Sequence, residues 1–369
     1  MKNIFFIICI LLNIYLSYES FQLSFFKEIN KENINKNLTI SPLSAYQVLG
    51  LTANGAKGKT LDEMLLALEN NDLEELNQIN KDILDISKQF TTIEMANAVM
   101  TKLRPKQGFM DAAQLYEATV EALKNVEQVN SWCNLKTHGT IPTIIDTLPP
   151  NTLMVLLNAV YFKGQWKVEF DEKNTTKKLF YNYGDKSNAV NVDTMKSSEE
   201  YNYYEDKELQ IIELPYTKDS MSAVIILPNE ETDINDFISE LTDEKLQKLL
   251  KRMYPERVDL EMPKFKTEFS AELNDVLQKM GMVIPFKAYA DFTNMLDGSV
   301  YIDKVIQKTF LSVDEKGTEA AGATIVVIRK NGPPKIYKMS VNRPFLFMLR
   351  NKSLPQNYEM MFISKIEQL

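Results

Sequence analysis

The chain has 369 residues, 44% of them hydrophobic and 25% charged, which is enough to bury a large core and too apolar for a disordered polymer. A formal net charge of -8 argues against a nucleic-acid partner, because phosphate binding needs a concentration of Lys and Arg that is absent here.

At the N-terminus, Lys2 precedes the apolar run Ile4 to Leu12, and small polar residues follow at Ser17 and Ser20. This is the pattern of a secretory signal peptide over residues 1–20, and the run is short for a membrane span. The mature chain is therefore expected to be secreted and free of a membrane anchor. Retention of the segment as a first helix would instead make the protein cytoplasmic. Of two cysteines, Cys9 leaves with the leader and Cys133 remains alone, so no disulfide framework is expected. Asn37-Leu38-Thr39, Asn174-Thr175-Thr176 and Asn351-Lys352-Ser353 are N-glycan acceptor triplets that matter only in an exported chain.

Helical periodicity dominates to about residue 145. It predicts helices over Phe21 to Ile29, Ser44 to Thr52, Leu73 to Ser87, Phe109 to Tyr116 and Val126 to Lys136, and another opened by Thr60-Leu61-Asp62-Glu63, which has capping-box spacing. From Leu153 the texture turns to strands. Leu153 to Leu157 is apolar on both faces, as a central strand is, and Ile211 to Leu214 with Ala223 to Leu227 reads as a hairpin around Lys218-Asp219-Ser220. A helix over Asp243 to Met253, a strand over Val258 to Met262 and a helix over Ala271 to Met280, stopped by Gly281, complete the pattern. Without repeats or a linker, the simplest architecture is one large α+β domain over residues 21–369.

Catalytic groups are scarce. The one histidine, His138, sits beside a helix-ending glycine, and there is no Gly-x-Ser-x-Gly elbow, which argues against triad hydrolysis. One histidine and one mature cysteine cannot make a zinc site. Gly55 to Thr60 lacks the first glycine of a phosphate-binding loop and follows a helix where that motif needs a strand. No cofactor is expected, and the protein reads as a non-enzyme.

The segment Gly317 to Val327 carries more information. In a two-residue period, Thr318, Ala320, Gly322, Thr324 and Val326 share one small, uncharged face, while Glu319 lies on the other with Ala321 and Ala323. Such a face suits a strand slid between two existing strands. Its surroundings, Leu311 to Ala323, closely resemble the hinge of inhibitory serpins. Further blocks resemble that family in the right order: Asn158 to Trp166, Glu213-Leu214-Pro215-Tyr216, Ile226-Leu227-Pro228, Met262 to Phe265, Ala290 to Met295 and Asn342 to Phe347.

The resemblance spans Phe21 to Leu369. It implies a single serpin domain of three β-sheets and about nine helices, with an exposed reactive-centre loop at about 315–340. It implies a suicide-substrate inhibitor of serine-type endopeptidases, with a hinge of Glu315, Gly317, Thr318, Glu319, Ala320, Ala321, Gly322 and Ala323. The loop would be cleaved, form an acyl-enzyme and insert into the central sheet, giving a covalent complex between a monomeric inhibitor and its protease. The reactive bond follows Lys330 or Asn331, with Gly332 next in line and Arg329 as a third candidate. A Lys at the bond suits a trypsin-like target, and an Asn a tolerant chymotrypsin-like or an asparagine-specific one. By the same resemblance, Glu315 and Lys264 pair near Trp166 at the top of the sheet, and Ser41, Ser44 and Asn158 lie under the shutter. There Gln307 stands in place of the usual histidine, and Ser364 replaces a common glycine near the C-terminus. The alternative is a non-inhibitory carrier or chaperone on the same fold. Asp72, Glu74, Glu75, Asp82 and Asp85 against Lys81 and Lys88 argue against activation by heparin.

Overall fold

A computed structural model of the chain describes residues 19–88, 93–162, 164–217, 220–317 and 335–369. The first part comprises α1 (Phe21–Glu32), β1 (Leu38–Ile40), α2 (Pro42–Ala53), α3 (Lys59–Ala67), α4 (Leu73–Ser87), β2 (Ile93–Thr101), α5 (Gln107–Leu115), β3 (Thr119–Ala122) and α6 (Val126–Lys136). Then come β4 (Met154–Phe162), β5 (Thr176–Tyr181), β6 (Ala189–Glu205), β7 (Leu209–Pro215), β8 (Met221–Pro228), α7 (Ile234–Glu240), α8 (Asp243–Arg252), β9 (Tyr254–Pro263), β10 (Phe265–Glu272) and α9 (Asn274–Lys279). The last strands are β11 (Lys304–Val313), β12 (Ile336–Ser340), β13 (Phe345–Asn351) and β14 (Met360–Ile366).

A central five-stranded sheet runs in the order β10-β11-β4-β2-β3. The other nine strands form two sheets that share β6, whose residues Thr194 to Tyr203 pair with β9 while Asn202 to Glu205 pair with β7. Together these make the three sheets expected, and nine α-helices occur among the described residues.

Strand β4, in the middle of this sheet, is buried on both faces, which is why it is apolar apart from Asn158. Met154, Leu156, Val160 and Phe162 enter the main core with α2, all twelve residues of which are buried. Val155, Leu157 and Ala159 face the other way, onto Val129, Trp132 and Cys133 of α6. A helix sealed between two sheets has no polar face to show, so α2 carries no amphipathic stripe. Burial pushes the Cys133 thiol up to about 12, which keeps it a packing group.

Three local expectations change. Strands β1, β2 and β3 lie within the stretch read as helical; β2 is buried on both faces from Asn97 to Thr101, which hides its two-residue alternation. Thr60 and Glu63 do not form a capping box. Gly58, with φ 52°, precedes α3, and Thr60 Oγ1 accepts from the Asp291 N–H at 2.8 Å. Glu63 Oε2 accepts from the N–H groups of Val283 and Ile284 at 2.8 and 2.5 Å. Finally, Ala271 and Glu272 belong to β10 because their backbone pairs with Gln307 and Ile306 of β11, so the helix before Gly281 is only Asn274–Lys279.

Candidate functional site

The site is the seam between β4 and β11. These strands run parallel and pair from Lys304 opposite Val155 to Phe310 opposite Tyr161. Beyond Phe310, among the described residues, Leu311 to Val313 pair only with β10 on the opposite side. The seam is closed along its length and its two strands part at the upper end.

A short buried network pins the seam in the middle. The two-residue period of β4 and β11 turns Asn158 and Gln307, register partners, to the same side as α2. Gln307 Nε2 donates to Asn158 Oδ1 at 2.6 Å and to the Ser41 carbonyl at 2.9 Å, and Gln307 Oε1 accepts from the Ser41 N–H at 3.0 Å. Asn158 Nδ2 donates to Ser44 Oγ and, at 2.6 Å, to Asn97 Oδ1. Ser41 Oγ caps α2 at the Ser44 N–H and donates to the Met361 carbonyl of β14 at 2.7 Å. Ser41, Ser44, Asn158 and Gln307 are all completely inaccessible to solvent. Gln307 therefore bridges α2 to both strands with donors and an acceptor, and no titratable side chain takes part. Ser364 is also buried, and Thr39 Oγ1 lies 2.9 Å from its Oγ.

At the upper end, the four residues after β11 fold into a tight turn in which Asp314 and Gly317 exchange both backbone hydrogen bonds, at 3.3 and 3.1 Å. The turn is laced to the segment after β4. Trp166 N–H donates to the Lys316 carbonyl at 3.1 Å, its indole N–H to the Asp314 carbonyl at 2.9 Å, and Phe170 N–H to the Glu315 carbonyl at 2.9 Å. Trp166 is itself buried and stacked on Tyr216, with ring centroids 4.4 Å apart.

Gly317 has φ 102°, and a Cβ placed there would lie 2.5 Å from both the Gly164 carbonyl oxygen and the Trp166 nitrogen. No other residue type fits this approach without displacing the backbone. The Glu315 side chain is 6% exposed, and Oε2 meets Lys264 Nζ at 2.7 Å while Oε1 accepts from Thr175 Oγ1 at 2.7 Å. Burial alone would raise the Glu315 pKa; the hydrogen bonds from Lys264 and Thr175 outweigh it and hold the carboxyl below its ordinary value. The same hydrogen bond is the main reason the Lys264 ammonium titrates above its usual range.

Glu315, Lys264, Trp166 and Gly317 thus meet at one end of the seam, and Ser41, Ser44, Asn158 and Gln307 in its middle. Thr318 to Ala323, together with Arg329, Lys330, Asn331 and Gly332, lie outside the described residues, as do residues 1–18 of the leader. Thr175 and Asn97 complete the two clusters, and neither role shows in the sequence: Thr175 is read there only as the middle of a glycan triplet, and an asparagine in a buried strand has no local signature.

Residues 16–368 match the family model described as serpin, serine protease inhibitor. The chain is a serpin. This serpin is 31% identical to Iripin-8 of Ixodes ricinus, over 91% of this chain and 89% of that protein. It is likewise 31% identical to Serpin B6 of Macaca fascicularis, over 90% of this chain and 94% of that one. Among solved structures, it is similar to native Tengpin, a thermophilic serpin, with TM-score 0.83 and 31% identity over 95% of this chain and 92% of that one. Human thyroxine-binding globulin, crystallised in complex with thyroxine, matches with TM-score 0.84 and 25% identity over 95% and 96% of the two chains. The fold is thus shared by a thyroxine-binding protein as well as by protease inhibitors. Among the described residues no helix is long and apolar enough to cross a membrane, and no group of His, Cys, Asp and Glu could hold a metal ion.

Proposed function

We propose that this serpin is a suicide-substrate inhibitor of serine-type endopeptidases, acting through residues 318–334. The observation that carries this reading is the parallel β4–β11 pair with no strand between, closed over Lys304 to Phe310 and parting below the Asp314–Gly317 turn. A segment that follows β11 through a turn enters antiparallel to β11, and hence antiparallel to β4. One parallel pairing would be exchanged for two antiparallel ones, a net gain of ladder hydrogen bonds. Strand addition of this kind in serpins is a known case of released strain.

In the mechanism, the protease serine attacks the carbonyl of the reactive residue, the amine of the next residue leaves, and an ester joins the two proteins. The segment from Gly317 then inserts before water cleaves that ester. Fifteen residues from Gly317 to Asn331, at about 3.3 Å each, make a strand of roughly 50 Å, so the acylated protease is carried the length of the sheet. Insertion requires three contacts to yield: the Gly317 docking on Gly164–Trp166, the Glu315 contacts, and the Gln307–Asn158 hydrogen bond across the seam.

The target is a trypsin-like enzyme if the bond follows Lys330 and a chymotrypsin-like one if it follows Asn331. The signal pattern over residues 1–20 supports export, and the inhibitor acts as a monomer without heparin. Ser20 caps α1 and binds Asp243 through both its N–H and its hydroxyl, so the folded domain makes use of its side chain.

Incubation with trypsin-like, chymotrypsin-like and elastase-like enzymes tests this. Expected is a detergent-stable covalent complex, with a released C-terminal peptide that begins at Asn331 or Gly332. Thr318→Arg, which puts a charge on the inserting face, should yield cleaved loop and no complex. Complete loop cleavage without complex by every enzyme tried would favour the carrier reading instead.

A further inference from the structure

The three acceptor triplets for N-linked glycans are sorted by the fold into one open position, one constrained and one closed. Asn351 is completely buried at the end of β13, where its Oδ1 accepts from the Ser353 N–H at 3.0 Å. Sugar on that amide would have to occupy the core. Asn37 is bound three times by the C-terminal segment: its Nδ2 donates to the Gln368 carbonyl at 2.8 Å, and its Oδ1 accepts from the N–H groups of Glu367 and Gln368 at 2.8 and 3.1 Å. A glycan there could replace only the Nδ2 hydrogen that this docking does not use, so Asn37 is constrained where Asn174 is not.

Asn174 differs. It is exposed as the last residue of a short 3-10 turn, Glu172–Asn174, and Thr176, the hydroxyl residue of its triplet, is exposed at the start of β5. Between them, Thr175 donates its hydroxyl to Glu315 at 2.7 Å. The turn therefore borders a crevice of about 480 Å³ lined by Glu172, Thr175, Asp193, Lys264, Asp314, Glu315 and Lys316, beside the Asp314–Gly317 turn at the upper end of the seam. We infer that Asn174 is the N-glycosylation site of this serpin, and that its glycan covers the mouth of this crevice beside the Glu315–Lys264 pair.

Covalent attachment at the Asn174 side-chain nitrogen leaves every hydrogen bond at the mouth in place, because the Asn174 N–H to Asp171 carbonyl bond is made by the backbone, at 2.8 Å. A branched, hydrated chain anchored one residue from Thr175 screens that crevice from other macromolecules. The inference rests on the export proposed above and is independent of which protease is inhibited.

The test expresses the chain in a eukaryotic secretory host in two forms, one with its own leader and one with an unrelated secretory leader in place of residues 1–18. Peptide mass spectrometry before and after enzymatic deglycosylation should find glycan on Asn174, with Asn37 and Asn351 unmodified. Retention of the first form inside the cell would count against export alone, and an unmodified Asn174 in the second form would overturn the assignment. Covering of the mouth is read by lysine labelling with a bulky, polymer-linked succinimidyl ester. Lys264 and Lys316 should label several-fold more slowly in the glycoprotein than in Asn174→Gln, with Lys186 as a distant control of unchanged rate. Equal rates for all three lysines would refute the covering.

Discussion

Replacement of Gln307 by alanine should loosen the seam while leaving the surface of the protein unchanged. The substitution removes three hydrogen bonds, to the Ser41 carbonyl, the Ser41 N–H and Asn158 Oδ1, all among groups with no access to water. A buried N–H left without a partner costs about 1–3 kcal/mol, and the cavity left by the missing side chain adds to it. A loss of about 3 kcal/mol follows, more than a hundredfold in the equilibrium between native and opened forms. Urea titration followed by Trp fluorescence should show a lower midpoint at unchanged slope, with faster conversion to a loop-inserted form on mild warming. Gln307→His sharpens the test. A neutral imidazole offers one donor and one acceptor where Gln offers two donors and an acceptor, so it restores part of the network. It also introduces a group whose ordinary pKa of about 6.5 falls on burial beside neutral partners. The unfolded chain then binds the extra proton first, so stability is present above about pH 6.5 and is lost as the pH falls below it. A stability for Gln307→Ala within about 0.5 kcal/mol of wild type, a typical surface value, would refute the reasoning.

Gly317→Ala places a methyl group against the Gly164–Trp166 backbone in a left-handed conformation; it should cost about 1–3 kcal/mol and shift Trp166 fluorescence as the turn detaches, whereas an unchanged spectrum would contradict the docking. Glu315→Gln should destabilise the protein by about 1 kcal/mol at pH 7. Because the folded carboxyl titrates below its ordinary value of about 4.3, its contribution is present above that pH and fades as the pH falls through the lowered value. Denaturation midpoints of the two proteins should therefore converge as the pH falls through that lowered value, and a gap that persists once the carboxyl is fully protonated would exclude the ionised pair as its cause. Lys365→Ala, in β14, leaves buried Glu367 without its cation at 3.1 Å and should cost about 3–5 kcal/mol by calorimetry. A loss under about 1 kcal/mol would mean that water replaces the ammonium.

Legibility in the sequence followed the range of the interactions. The hairpin of β7 and β8, the helix α6 and the central strand β4 are readable because a short apolar run or a side-chain period within each segment marks it. Thr60 and Glu63 show the limit of that reading. Their spacing fits a capping box, yet backbone N–H groups more than two hundred residues away take both side chains. Such donors are invisible to local pattern and, inside a fold, compete on equal terms with the helix end.

Taken by itself, the sequence determined the small uncharged face that begins at Thr318, the composition that leaves catalysis without a histidine site, and the ordered blocks that make the chain a serpin. Tertiary structure alone decided that Gln307, 266 residues from Ser41, could stand in for an imidazole, because only the β4–β11 register brings its donors and acceptor to three buried partners. It alone decided that Thr175 reaches Glu315 across 140 residues, and that Asn174 is open while Asn37 is constrained and Asn351 closed. The physical reason is common to all three. Hydrogen-bonding capacity is a property of the residue, but whether water or protein satisfies it is a property of burial, and burial is set by contacts distant in the chain.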